Sequence, residues 1–143
     1  MVQSILCAAD GSKIADRAVD FAIGLAKQTG ASLTILTVER VSRSAAARSP
    51  FWDSNVLDAA DAIVRAEFKA AHKKAQAAGL KDLRCVTAEG KNIAHAIVAY
   101  AKKNKHDHIV TGSHGHKGLQ RLVLGSIAEA VVTEAHCPVT IVR

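Results

Sequence analysis

"VQSILCAADGSKIADRAVDFAIGLAKQTGASLTILTV", Val2 to Val38, contains a complete structural unit. A short aliphatic run, Val2 to Ala9, stops at Asp10-Gly11-Ser12, which is a turn signal. Ala15, Ala18, Val19, Ala22, Ile23 and Ala26 then recur at intervals of three and four, placing one apolar stripe along a helix that Gly30 closes. Ser32 to Val38 is β-branched and apolar and reads as a second strand.

The same alternation continues outward from this unit. After an irregular stretch, Glu39 to Asp53, a helix begins near Asp53 to Asn55. Val56, Leu57, Ala60, Ile63, Val64, Phe68 and Ala71 occupy one face of it until Gly79 ends it. "LRCVTAEG", from Leu83, supplies a third strand, Asn92 an N-cap, and Ile93, Ala96, Ile97, Tyr100 and Ala101 a third apolar stripe. Asp107 to Thr111 is a fourth strand and Ser126 to Ala135 a fourth helix. Pro138 stops that helix before a fifth strand, Val139 to Val142. Strands alternating with helices demand right-handed crossovers, so the expected fold is α/β: a five-stranded parallel sheet with helices on both faces. Helices change faces where the strand order reverses, and open sheets bind ligands in the crevice at that point. The loops after strands one and four carry the ligand chemistry, which makes those strands neighbours at the switch.

Composition agrees with one domain over residues 1–143: 49% of the chain is hydrophobic and 22% charged. Aromatics make up only 3%, so the core is aliphatic, as suits parallel strands covered on both faces. The formal charge of +6 favours an anionic partner. "AKKNKHDH", Ala101 to His108, reads as a solvated helix end, and no specific nucleic-acid binding is expected. Without 18 consecutive apolar residues or a charged flank before the first apolar run, the chain is expected to be soluble and unsecreted, with no membrane partner. Cys7, Cys85 and Cys137 form no C-x-x-C pair and read as buried, reduced thiols. "HDH" at His106 to His108 and "HGH" at His114 to His116 lack a carboxylate or cysteine at a familiar ligand spacing, so no metal site is assigned.

The segment after the fourth strand, "TGSHGHKGLQRLVLGSIAEA" from Thr111, is the richest in ligand chemistry. Gly112, Gly115 and Gly118 let successive amides turn toward an anion. Ser126 stands three residues before Glu129, a capping-box spacing that starts a helix whose first-turn amides add a second anion site. Glycine after a strand and serine at a helix start are also routine in connections that bind nothing. The loop matches neither the dinucleotide fingerprint nor a Walker A sequence.

Its spacing is more specific. Gly112-Ser113-His114-Gly115, nine residues, then Gly125-Ser126 gives G-x-x-G-x9-G-S, which resembles the nucleotide-binding motif of the universal stress protein family. "ILCAADGS", "LTILTVE" and "HCPVTIVR" resemble that family's first, second and last strands, so the likeness runs end to end. The resemblance implies a Rossmann-like sheet in order 3-2-1-4-5 and an ATP site. Ala8 and Ala9 would lie beside the adenine, Asp10 near the ribose, and the main chain of Val38 on the adenine edge. Gly112, Gly115, Gly125 and Ser126 would surround the phosphates, flanked by Thr111, His114 and Ile127. His114 stands where many members carry Arg, with Lys117 and Arg121 available to compensate. The resemblance further implies a cytoplasmic stress-response sensor or signalling protein acting through nucleotide occupancy. ATP, with Mg²⁺ left open as its companion, would be hydrolysed slowly at most, since no catalytic base is placed by the phosphates. A homodimer would form through Val139 to Val142. The other reading is a protein-interaction module in which the nucleotide is mainly structural.

Overall fold

A computed structural model describes residues 1–10, 13–39, 54–114 and 124–143, with the side chains of all but 13–14 and 54–60 of these. The elements in chain order are β1 (Ser4–Ala8), α1 (Lys13–Thr29), β2 (Ser32–Glu39), α2 (Ser54–Ala77), β3 (Leu83–Glu89), α3 (Ile93–Lys103), β4 (His108–Gly112), α4 (Ser126–Glu134) and β5 (Val139–Val142). The strands pair in the order β3-β2-β1-β4-β5, all parallel. This is the expected Rossmann-like arrangement, with β1 and β4 adjacent.

Alternation along the strands divides the core into two layers. Ile5, Cys7, Leu33, Ile35 and Val110 face α1 and α2, where Ala18, Ala22 and Ala26 let α1 approach the sheet closely. Leu6, Ala8, Leu36 and Ile109 face the other way, against Ala94, Ile97 and Ala101 of α3 and Val131 of α4. Central β1 therefore has both faces closed, and Ile5, Leu6 and Cys7 are fully buried.

The α2 stripe needs correction. Ala71 and Ala75 are buried, but Ile63 is 60% exposed, and Val56, Leu57 and Ala60 lie outside the described side chains. A 24-residue helix is about 36 Å long, against about 26 Å for the eight-residue strand β2, so about two turns of it extend past the sheet. The cysteine expectation also holds only in part: all three are free, but only Cys7 is buried, with Cys85 and Cys137 half-buried.

Helix ends follow local chemistry. Gly30 (φ 73°) closes α1 with its amide on the Ala26 carbonyl at 2.9 Å. Gly79 (φ 78°) closes α2, with paired bonds from Leu80 N to Ala75 O and from Gly79 N to Gln76 O. Asn92 caps α3, its side chain accepting from the His95 amide at 3.0 Å. The far end of α3 repeats the paired closure, from His106 N to Ala101 O and from Lys105 N to Lys102 O, but here Lys105 occupies the left-handed position at φ 58°. A lysine there is strained relative to glycine. Lys105→Gly is accordingly expected to raise unfolding stability by about 1 kcal/mol, read as a higher urea midpoint at unchanged slope.

Candidate functional site

Where β1 and β4 part company, their C-terminal ends and the start of α4 enclose a cleft of about 570 Å³. The chain reverses its direction of winding at this point, so no helix fills the crevice. Ala8, Ala9 and Asp10 reach it from β1, Val38 from β2, Thr111, Gly112 and His114 from β4 and its end, and Gly125, Ser126 and Ile127 from α4. The fold thus brings together every sequence-selected site residue that it describes. Gly115 lies outside the described residues, as do Gly118, Lys117 and Arg121.

One end of the cleft is built of backbone amides. The Ser113 amide donates to Val142 O at 2.8 Å, and the Gly125 amide donates to Ser113 O at 2.7 Å, which seats the start of α4 on the end of β4. A Cβ on Gly125 would stand 3.0 Å from Ser113 O and 3.4 Å from His114 Cα, both main-chain atoms that cannot step aside. Glycine is therefore required here by close approach.

This seating overturns the capping box. Gly125, not Ser126, is the N-cap, no side chain caps the helix, and the Glu129 amide bonds the Gly125 carbonyl at 3.0 Å. Ser126 is instead the first helical residue, exposed on the cleft. The amides of Ser126, Ile127 and Ala128 begin the helix at its positive end, an arrangement suited to an anion. The ring of His114 borders the same spot: its Cδ2 would lie 3.7 Å from a Cβ on Gly125, and its Nδ1 pairs with Ser113 Oγ at 3.2 Å.

The other end is apolar, walled by Leu36, Ile93, Ile97 and Val38. Here a residue that sequence reasoning passed over sets the geometry. The Ala9 amide donates to Leu36 O at 2.9 Å, so the polar groups of Leu36 face β1. The Thr37 hydroxyl then donates to Ala9 O at 3.1 Å, taking the carbonyl that the next rung of the ladder would use. By strand alternation the N–H and C=O of Val38 face the same side as those of Leu36, past the end of β1 and into the cleft. Both main-chain groups of Ala9 are engaged by β2, so it serves as a wall. The signal available in the sequence was a hydroxyl near the C-terminal end of an otherwise aliphatic strand. Ile93 and Ile97, read as a core face, also form part of the cleft.

The remaining candidates lie elsewhere. His106 and His108 sit at the opposite end of the sheet, bonded to Ser4 Oγ at 2.9 Å and Thr140 Oγ1 at 2.7 Å respectively, so the "HDH" pair does not converge on one point. Burial pushes the Cys7 thiol up to about 12 and the Cys85 thiol up to about 11, which makes both poor nucleophiles near neutral pH. A smaller hollow of about 300 Å³ lies between α1 and α2, across the sheet, lined by Ala15 and Asp16 of the first turn of α1 and by Phe68 and Lys74 of α2, with no glycine among its described walls. No helix among the described residues is long and apolar enough to cross a membrane.

Known proteins share this architecture. The model of the universal stress protein family matches residues 1–143. The chain is 34% identical over 150 residues to universal stress protein YxiE of Bacillus subtilis, with 100% of each protein covered. Among solved structures, universal stress protein UspA from Lactobacillus plantarum aligns with a TM-score of 0.80 at 28% identity, covering 99% of this chain and 98% of that one. A universal stress protein crystallised in complex with cAMP aligns with a TM-score of 0.74 at 27% identity, covering 99% of this chain and 97% of that one. With its sheet order, its cleft at the β1/β4 switch and a family match over its whole length, this chain belongs to the universal stress protein family.

Proposed function

We propose that the cleft binds ATP and that the protein is a cytoplasmic stress-response sensor or signalling protein acting through nucleotide occupancy. The observation that carries this reading is the convergence on one cleft of the outward main chain of Val38, the Asp10 carboxylate and the amide-rich start of α4. Each end suits a different part of a nucleotide. Val38 offers an N–H and a C=O to the adenine edge, with Ile93 and Ile97 against the ring. Asp10 stands at the end of β1, in position to accept from ribose hydroxyls. Gly112, Gly125 and the first amides of α4 meet the phosphates, with His114 as a side-chain donor beside them.

A relative crystallised with cAMP supports an adenine ligand. The amide-rich end beyond the ribose favours a longer phosphate chain. Mg²⁺ would then come with the nucleotide, since Asp10 is the carboxylate lining the cleft among the described residues and it belongs to the ribose end. Hydrolysis would be slow at most, for want of a base beside the phosphates. The whole of residues 1–143 would act as one domain.

A homodimer through β5 fits the two sheet edges. β3 exposes Arg84, Thr87 and Glu89 along its length, whereas β5, Val-Thr-Ile-Val, carries no charge to deter pairing. The alternative role, an interaction module that the nucleotide merely stabilises, keeps the same site. The reading is tested by mass spectrometry of small molecules that copurify and by calorimetry with ATP and Mg²⁺. Adenine nucleotide in the purified protein, or saturable ATP binding, is expected; absence of both overturns it.

A further inference from the structure

The end of the sheet opposite the cleft is held together by histidines. The closure of α3 at strained Lys105 delivers His106 into the interior, where it is only 6% exposed and stacks on Tyr100 with ring centroids 5.9 Å apart. Its Nδ1 pairs with Ser4 Oγ of β1 at 2.9 Å. Its carbonyl accepts from Nε2 of His136, in the connection from α4 to β5, at 3.2 Å. Two residues on, His108 Nε2 meets Thr140 Oγ1 of β5 at 2.7 Å, and the Ile109 amide donates to Pro138 O at 3.0 Å. Residues 106–109 thus hold β5, an edge strand, at its N-terminal end.

We propose that His106 and His108, with His136 as anchor, form a proton-operated clasp on β5: closed while the two imidazoles are neutral and released when they take up protons from solvent. Burial is what makes a proton unwelcome on both rings, against Asp107 and, for His106, the bond to Ser4, which favour one. His106 faces Arg84 of β3 and His136, both of which oppose a positive charge, with Asp107 opposing them. Asp107 is the counter-charge for His108 too. Its carboxylate already accepts from the Gln3 amide at 2.9 Å and the Ser4 amide at 3.1 Å, and it raises the neighbouring Cys137 thiol further after burial has done so. Burial lowers the pKa of His106 and of His108 in spite of Asp107.

The direction of the response follows from linkage. An opened end takes up protons at the ordinary imidazole value of about 6.5, whereas the closed end resists them until a lower pH. The stability of closure is therefore fully present above the ordinary value and is lost as pH falls below it, through the lowered values. A protonated His106 must find water, and its ring then gives up Ser4 of β1 and the stack on Tyr100, next to the main-chain carbonyl that holds His136. The histidines lie at the end of the sheet opposite the cleft, and β5 runs from them to Val142, whose carbonyl accepts from the Ser113 amide beside the cleft.

Hydrogen exchange on the full chain, followed by mass spectrometry at about pH 7.5 and about pH 5.5 with times scaled for intrinsic exchange, tests this. Peptides spanning 136–143 are expected to lose roughly tenfold in protection on acidification, while peptides over β2 and β3 keep theirs. The double variant His106→Asn, His108→Asn should lose that pH response. Unchanged protection in 136–143, an equal loss across β2, or a response that survives in the double variant would overturn the clasp. Should the double variant not fold, imidazole resonances of the unaltered protein decide. A His106 midpoint below the ordinary histidine range, tracked by the Thr140 amide, supports the proposal; a midpoint in or above that range, or a Thr140 amide that does not follow, sinks it.

Discussion

Gly125→Ala is expected to lower ATP affinity by roughly tenfold to a hundredfold and to destabilise the fold at the same time. The added methyl would lie 3.0 Å from the Ser113 carbonyl oxygen and 3.4 Å from His114 Cα. Because both atoms belong to the main chain, no rotamer change relieves the contact, and α4 must retreat from the end of β4 by a few tenths of an ångström. That strain, with weakening of the 2.7 Å bond from the Gly125 amide to Ser113, should cost about 1–3 kcal/mol of stability. The affinity loss has a separate origin. Hydrogen bonds to a charged group contribute about 1.5–3 kcal/mol each, and the displaced first-turn amides would make such bonds to phosphate. Gly24→Ala is the control, since nothing lies within 4 Å of the Cβ it would add in α1. It should gain about 0.5–1 kcal/mol from helix propensity and leave binding unchanged. Calorimetry and urea unfolding of the two variants distinguish the cases; wild-type affinity in Gly125→Ala would remove α4 from the proposed phosphate site.

Much of this architecture is legible in the sequence because it is written in local periods. The three- and four-residue spacing of Ala18, Ala22 and Ala26, and the aliphatic runs of β1 and β2, encode which faces are buried regardless of what packs on them. The candidate site residues are selected through the family resemblance that the G-x-x-G-x9-G-S spacing carries, and those described line one cleft. What failed depended on distances between segments. Ser126 and Glu129 have the spacing of a capping box, but the cap is fixed by Gly125 meeting Ser113, a contact that no window around Ser126 contains. Ile63 continues the apolar stripe of α2 yet is 60% exposed, because what a helix face packs on is set by segments distant in the chain. The role of Thr37 was hidden because its partner, the Ala9 carbonyl, comes 28 residues earlier and carries no side-chain signature.

That contact leads to the second large effect, which concerns the ligand rather than the protein. Thr37 occupies the Ala9 carbonyl, and strand alternation turns the N–H and C=O of Val38 toward the cleft. In the proposed site these two groups would meet N1 and the exocyclic amine of adenine, a donor facing an acceptor and an acceptor facing a donor. Inosine triphosphate reverses both: its N1 carries a hydrogen and its O6 is an acceptor, while ribose and phosphates are unchanged. Each mismatched contact leaves buried polar groups without partners at about 1–3 kcal/mol. Together, at about 2–6 kcal/mol, they should weaken binding by about thirtyfold or more relative to ATP. Val38→Ala preserves the main chain and should preserve the discrimination, because the side chain contributes only wall. Competition of inosine triphosphate against a fluorescent ATP analogue measures the ratio directly. Near-equal binding of the two would mean that the main chain of Val38 does not read the base, and that any selectivity resides in the apolar walls of Ile93 and Ile97, which distinguish shape but not the direction of a hydrogen bond.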